Sequence, residues 1–288
     1  MKYYLYRFAA AICPHLPARL GYWFFARIGD LVFLFSNRNS TYFQNLTRVL
    51  GDAATPRRLN AVARAGFQNL LKNYFDLLRG HALTRETITA QLAELHGFEH
   101  VENALKAGKG AIMGSAHFGA WDIIIHIAAV YLNVHIVLPV ERIKPERLFQ
   151  YVTQLRSTNG IEVVPLENAP RALIKALRAG EIAGLAYDRD MTQTGPVVNF
   201  LGAPAQMPDG AAQLALKYAA PILIGFSIRR PDNKCAVFIE PPIRLEKTGD
   251  LERDVRAGVQ KIAEVMERYI AKYPEQWLMF QRIWDANS

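Results

Sequence analysis

Apolar residues follow two different rhythms along this chain, and the change comes near residue 94. Upstream, apolar positions recur at helical spacing. The first two short helices are broken by Pro14 and Pro17, a third spans Asn37 to Leu50 and stops at Gly51, and Thr55-Pro56 opens a fourth that reaches about Gly80. Downstream, short apolar runs alternate with amphipathic stretches. Strands are expected at Gly110–Gly114, Val134–Leu138, Ile161–Val164, Ile182–Ala186, Ile222–Ile228 and Ala236–Ile239. Helices are expected at Ala120–Tyr131, Lys144–Asn159, Ala169–Ala179, Gly210–Tyr218 and Leu251–Lys272. This alternation predicts an α/β fold: a mostly parallel central sheet flanked by helices, with an N-terminal membrane-associating helical segment. Residues 1–80 form that extension and 81–288 the α/β domain, the two making one structural unit.

Composition sharpens the reading of the first 80 residues. They hold eleven Lys or Arg against Asp30, Asp52 and Asp76, which accounts for the whole net charge of +8. The remainder carries 23 residues of each sign. Twelve aromatics lie between Tyr3 and Phe43, interleaved with the cations. The longest uncharged run, Phe8 to Ala18, contains two prolines and is too short to span a bilayer. No signal-peptide cleavage pattern follows it. Scattered cations among aromatics suit a helix lying in a membrane interface, peripheral or monotopic. A nucleic-acid surface is disfavoured, because its cations would be clustered. Two cysteines, Cys13 and Cys235, exclude a disulfide scaffold and a Cys-rich zinc site.

In parallel sheets, chemistry collects where loops leave the carboxyl ends of strands. Three loops qualify here: Ser115–Asp122, Pro139–Pro145 and Asp188–Pro208. The first holds Gly114-Ser115-Ala116-His117-Phe118-Gly119-Ala120-Trp121-Asp122. His117 falls in a strand-to-helix turn and Asp122 in the first turn of the helix. Asp122 is expected to curl back onto one imidazole nitrogen, leaving the other to take a proton from a hydroxyl. Chance alone produces such His-x-x-x-x-Asp/Glu spacings, as His81 to Glu86 illustrates. Placement after a buried strand distinguishes His117.

The segment His117 to Asp122 resembles the H-x-x-x-x-D motif of the lysophospholipid acyltransferase superfamily. More closely, it is similar to the bacterial lipid A lauroyl/myristoyl acyltransferase (HtrB-type) family. Asn45 to Gly51, Asp188-Arg189-Asp190, Asn199 to Gly202, Met207 to Gly210 and Tyr273-Pro274-Glu275-Gln276-Trp277 extend the resemblance over essentially the whole chain. Asp188-Arg189-Asp190 and the run after Met207 look more like phosphatidylinositol mannoside acyltransferases. The resemblance implies O-acyl transfer from acyl-CoA or acyl carrier protein, as co-substrate, to a hydroxyl of a glycolipid or lipid A-type precursor. It implies His117 and Asp122 as catalytic residues, no metal and no resident cofactor. The cytoplasmic face of the inner membrane is the implied location, with membrane lipids as partners. Arg142, Asp188, Arg189 and Asp190 are candidates for substrate binding, Phe118 and Trp121 for the wall of an acyl groove. Backbone N–H groups around Phe118 to Ala120 are candidate oxyanion donors. A lysophospholipid acyltransferase, a lipid ester or thioester hydrolase using the same dyad, and a catalytically inactive lipid binder are the alternatives.

Overall fold

In the computed structural model, which describes residues 2–284, the change of rhythm becomes a change of architecture. Four helices come first: α1 (Lys2–Ile12), α2 (Ala18–Leu34), α3 (Thr41–Leu50) and α4 (Pro56–Arg79). Pro17 caps α2, and a short turn over Cys13–His15 carries the chain between the first two helices. At the start of α4 the Thr55 side chain accepts from the Arg58 N–H, and Pro56 sits where a missing N–H costs nothing. The α/β part follows as α5 (Arg85–Gln91), β1 (Leu92–His96), α6 (Phe98–Lys106), β2 (Ala111–Ser115), α7 (Trp121–Leu132), β3 (Ile136–Val140), α8 (Glu146–Arg156) and β4 (Ile161–Pro165). It continues through α9 (Ala169–Arg178), β5 (Ile182–Ala186), β6 (Val197–Phe200), β7 (Ala203–Gln206), α10 (Gly210–Tyr218), β8 (Ile222–Arg229), β9 (Cys235–Ile239) and α11 (Leu251–Lys272).

Seven strands form one sheet in the order β1-β9-β8-β2-β5-β3-β4. Neighbours are parallel except β8 and β9, whose short connection makes an antiparallel pair. β5, α10 and α11 lie within the expected bounds, and the other expected elements shift by a few residues. Helices α5 and α6 were not expected, nor were two β pieces. β1 is an edge strand of sequence LAELH, whose polar residues give no period-two signal. The loop after Asp188 folds into a β6–β7 hairpin, turned by Leu201 and Gly202 at φ 51° and 76°. A two-residue turn with both residues left-handed matches strand twist, and Leu at the first position hides the signal.

The sheet separates two cores. α9, α10 and α11 cover one face, where Ile112, Ala183, Ile222, Ile224 and Phe226 are buried. α6 and α7 cover the other, packed on Ala111, Ile182 and Leu223. α4 lies against α7 and α8, and α2 runs along α4. Phe75 is fully buried between Tyr22 and Phe25 at that crossing. The outer side of α1 and α2 stays uncovered: Leu5, Phe8, Trp23, Phe24, Leu31 and Phe35 are each at least half exposed. No helix among the described residues is long and apolar enough to cross a membrane.

Candidate active site

The register of two parallel strands builds the centre of the site. Ser115 of β2 pairs with Ala186 of β5. Two residues further along each strand, His117 stands beside Asp188. The His117 backbone N–H donates to Asp188 Oδ2 at 2.8 Å, and the Nδ1 of its ring lies 2.8 Å from Asp188 Oδ1. Trp277 donates its indole N–H to Oδ2 at 3.0 Å. Asp188 has no solvent exposure, whereas the His117 side chain is about one third open. A neutral His117 therefore donates from Nδ1, and Nε2 keeps the lone pair that takes a proton.

Electrostatics follow from this geometry. Burial works against the imidazolium, but the Asp188 carboxylate outweighs it and holds the His117 pKa above the ordinary histidine value. Arg189 and Arg156 oppose the rise. Burial alone would push Asp188 up; His117 and the N–H donors pull it below the usual carboxylate range.

Asp122 does not do what the spacing suggested. Its carboxylate faces α8, where Arg156 grips both oxygens from Nε at 2.7 Å and Nη2 at 3.2 Å. The imidazole partner is Asp188, because the first turn of α7 aims Asp122 sideways while β5 delivers a carboxylate directly alongside His117. Arg156, which mid-helix placement alone would assign to a solvated face, is thus mostly buried in this pair.

The turn itself is clamped on both sides. Leu278 N–H donates to His117 C=O, Gly119 N–H to Gln276 C=O, and Ala120 N–H to Ser227 C=O. Gly119 adopts φ 59°, and a Cβ there would lie 1.7 Å from Ser227 O, so only glycine fits. Two of the expected oxyanion donors, Gly119 and Ala120, are consequently already engaged.

A cavity of about 240 Å³ opens beside His117, between α7 and strands β8, β2, β5 and β3. Trp121 lines it, edge-on to His117 at 5.9 Å, together with Ile124, Leu138 and Arg156. Its floor lacks bulk, because Gly225 and Gly184 face it with no side chain. Phe118 takes no part: it turns to the other face and packs edge-on against Phe226 in the α11 core. Ser115 Oγ borders the cavity, buried and without a hydrogen-bond partner.

The other sequence candidates lie outside this centre. Arg142 is on the surface, paired with Glu146 and Glu167, so neither Asp188 nor Asp190 orients it. Arg189 pairs with Glu141 at 2.9 Å. Asp190 caps its own loop, accepting from Thr192 and from the Gly195 N–H. His126 is a core residue whose Nδ1 is without a partner, and burial lowers its pKa. Glu275 contributes its backbone carbonyl to Asn69. Trp277, Gln276, Asn73 and Arg229 were not singled out from sequence as parts of the site. Only the resemblance of the Tyr273–Trp277 block pointed towards two of them.

Comparison with known proteins adds an independent finding. The sequence model of the family described as "Bacterial lipid A biosynthesis acyltransferase" matches residues 1–286. A phosphatidylinositol mannoside acyltransferase of Mycobacterium tuberculosis (strain ATCC 25618 / H37Rv) is 30% identical over 264 residues, 85% of this chain and 76% of the relative. That of Mycolicibacterium smegmatis (strain ATCC 700084 / mc(2)155) is 29% identical over 253 residues, 85% of this chain and 79% of the relative.

Two outcomes follow from the charges. In an NMR titration of the wild-type protein, His117 titrates above the ordinary value of about 6.5; in Asp188→Asn, where burial is left unopposed, it titrates below that value. Asp122→Ala strands the Arg156 guanidinium and lowers unfolding stability by about 3–5 kcal/mol in urea. The double substitution Asp122→Ala with Arg156→Met regains most of that loss.

Proposed function

This chain belongs to the bacterial lipid A biosynthesis acyltransferase family, and from that premise we propose a mechanism of direct acyl transfer with His117 as general base. The enzyme is an acyltransferase of the lipid A or phosphatidylinositol mannoside type. The observation that carries the mechanism is a histidine fixed by a buried carboxylate at the edge of an apolar cavity. Such a cavity suits a fatty acyl chain, and the half-open imidazole suits an acceptor arriving from outside.

In the proposed reaction, Nε2 of neutral His117 takes the proton of an acceptor hydroxyl as its oxygen attacks the thioester carbonyl. A C–O bond forms, the carbonyl electrons move onto oxygen, and their return expels the thiolate. The imidazolium then gives its proton to that thiolate, and the base is regenerated. Asp188 fixes the tautomer and stabilises the imidazolium, the role expected of Asp122. Asp122 acts at one remove by holding Arg156 at the cavity wall, where the guanidinium offers positive charge to the developing oxyanion. Acyl-CoA and acyl carrier protein both fit this scheme as donor.

The relatives are named for phosphatidylinositol mannosides, and we carry that acceptor class, a glycolipid hydroxyl, to this chain. The exposed aromatic and aliphatic side of α1 and α2, among cations such as Arg7 and Arg19, supports docking on an anionic membrane surface, peripherally and from the cytoplasmic side.

The test incubates the enzyme with radiolabelled palmitoyl-CoA or palmitoyl carrier protein and anionic vesicles holding lipid A precursor or phosphatidylinositol mannoside. Wild type yields labelled acceptor lipid on sedimented vesicles, and His117→Ala loses about a thousandfold or more of the rate. Free fatty acid released without acceptor, and abolished by the substitution, would make the protein a hydrolase instead. The cavity floor gives a second outcome. A Cβ on Gly225 would lie 3.3 Å from Ile124 Cδ1 and 3.4 Å from Met113 Cε. Gly225→Val therefore fills the floor and shifts preference to shorter acyl-CoA chains by about tenfold or more in relative kcat/KM.

A further inference from the structure

Beneath the His117 turn runs a chain of buried polar groups that the proposed chemistry does not use. It starts on α2, where the Tyr22 hydroxyl lies 2.6 Å from Asp76 Oδ1 and accepts from Arg79 Nη2 at 2.8 Å. Arg229, at the end of β8, bridges Asp76 Oδ2 and Asn73 Oδ1, the latter at 2.8 Å. Asn73 then donates from Nδ2 to the carbonyl of Gly119 at 2.7 Å. Tyr22, Asn73, Asp76, Arg79 and Arg229 are all at most 8% exposed. The direction of the Asn73 amide is not ambiguous. A guanidinium only donates, so the amide oxygen must face Arg229 and its NH2 must face Gly119.

The end point makes this more than a core network. Gly119 lies two residues after His117, and its N–H is held by Gln276, whose side chain also bonds both backbone groups of Arg229. Asn73 and Arg229 thus close the side of the turn opposite Asp188. The starting point is equally placed. Tyr22 faces inward on α2, while Leu20, Trp23 and Phe24 of the same helix face outward, each at least half exposed. An unbroken run of buried hydrogen bonds thus joins Tyr22 of α2 to the carbonyl of Gly119.

We propose that Asn73 is a positioning residue for the His117 turn, linked to the seating of α2 through Arg229, Asp76 and Tyr22. This rests on the acyl-transfer reading for its kinetic consequence and on the geometry alone for its structural one. Small displacements of a catalytic group cost rate far more than binding. Loosening the Gly119 carbonyl is accordingly felt in kcat and not in KM.

The experiment compares three variants of the full chain. Asn73→Asp keeps the acceptor for Arg229 and loses the donor to Gly119. Tyr22→Phe removes the far end of the chain. Asp254→Ala is the control, since Asp254 is also buried and accepts from the Thr248 backbone N–H and hydroxyl at the start of α11, with no contact to the turn. Activity is followed as thiol release from palmitoyl-CoA with phosphatidylcholine–phosphatidylglycerol vesicles containing phosphatidylinositol mannoside. Asn73→Asp lowers kcat about tenfold with KM for palmitoyl-CoA within about twofold, Tyr22→Phe lowers kcat about threefold, and Asp254→Ala loses melting temperature without losing kcat. The low-field NMR signal of the His117 Nδ1 proton gives a reading that needs no turnover. It exchanges faster with water in Asn73→Asp and is unchanged in Asp254→Ala. Wild-type kcat and proton exchange in Asn73→Asp, or a rise in KM alone, would overturn the proposal. Absence of thioester turnover in the wild type removes the acyl-transfer reading and leaves the proton-exchange comparison to decide this one.

Discussion

A carboxylate with no access to water has to be answered by hydrogen-bond donors, and at Asp188 two separate parts of the chain supply three. The backbone of the His117 turn, the imidazole ring and the Trp277 indole converge on its two oxygens. An unpaired charge at that depth would cost several kcal/mol, so none of the three can withdraw alone. The segment after α11 is thereby tied to the end of β2. Phe118 and Trp277 face each other as an isolated antiparallel bridge, and Trp277 is itself fully buried. One interaction both closes the C-terminal segment onto the sheet and orients the proposed base. The rigidity of the site is therefore not separable from the stability of the fold around it.

What the sequence made legible, and what it concealed, divides along the same line. Local signals were readable: the Pro14 and Pro17 break, the Thr55-Pro56 start of α4, and the strands of apolar residues between amphipathic helices. His117 was found because it stands directly after such a strand. The partner of its ring was not, since the five-residue spacing to Asp122 is a local signal and the pairing of residue 117 with residue 188 is a matter of sheet order. Nothing in the sequence states that β5 lies beside β2. Asp188 was singled out, but for substrate binding. Arg142 and Asp190 were singled out with it, although surface ion pairs and a loop cap account for their contacts. Asn73, Asp76 and Arg229 are isolated polar residues in long buried elements, and only tertiary structure brings them together. Phe118 continues the alternation of β2, since Ile112, Ala116 and Phe118 all lie in the core under α11 while Ser115 and His117 face the cavity.

The two faces of the sheet have unequal tasks. On the α11 side, Phe226, Ile224 and Ile112 fill the space with large side chains, and Phe118 joins them. On the α7 side, β8 and β5 present Gly225 and Gly184 at mid-strand, so the sheet and helix enclose a void. The void is apolar over most of its wall, which also includes His117, Asp122 and Arg156. That is the arrangement a long hydrocarbon bearing one reactive carbonyl requires. It also keeps the hydrocarbon on the face nearest α4 and α8, against which α1 and α2 pack.

The same void sets a conflict on the histidine. Removing water from His117 favours the neutral ring, while Asp188 favours the charged one, and the carboxylate prevails. A base with a raised pKa accepts a proton more readily, but a smaller fraction of it is free to do so near neutral pH. The positive charges of Arg156 and Arg189 limit that loss by opposing the imidazolium from the other side. Arg156 can do this at close range only because Asp122 neutralises part of its charge and so makes its burial tolerable. Asp122 thus influences the proton affinity of His117 without touching the ring. The pair reaches the ring through Arg156, whose positive charge acts on the imidazolium across a mostly apolar cavity.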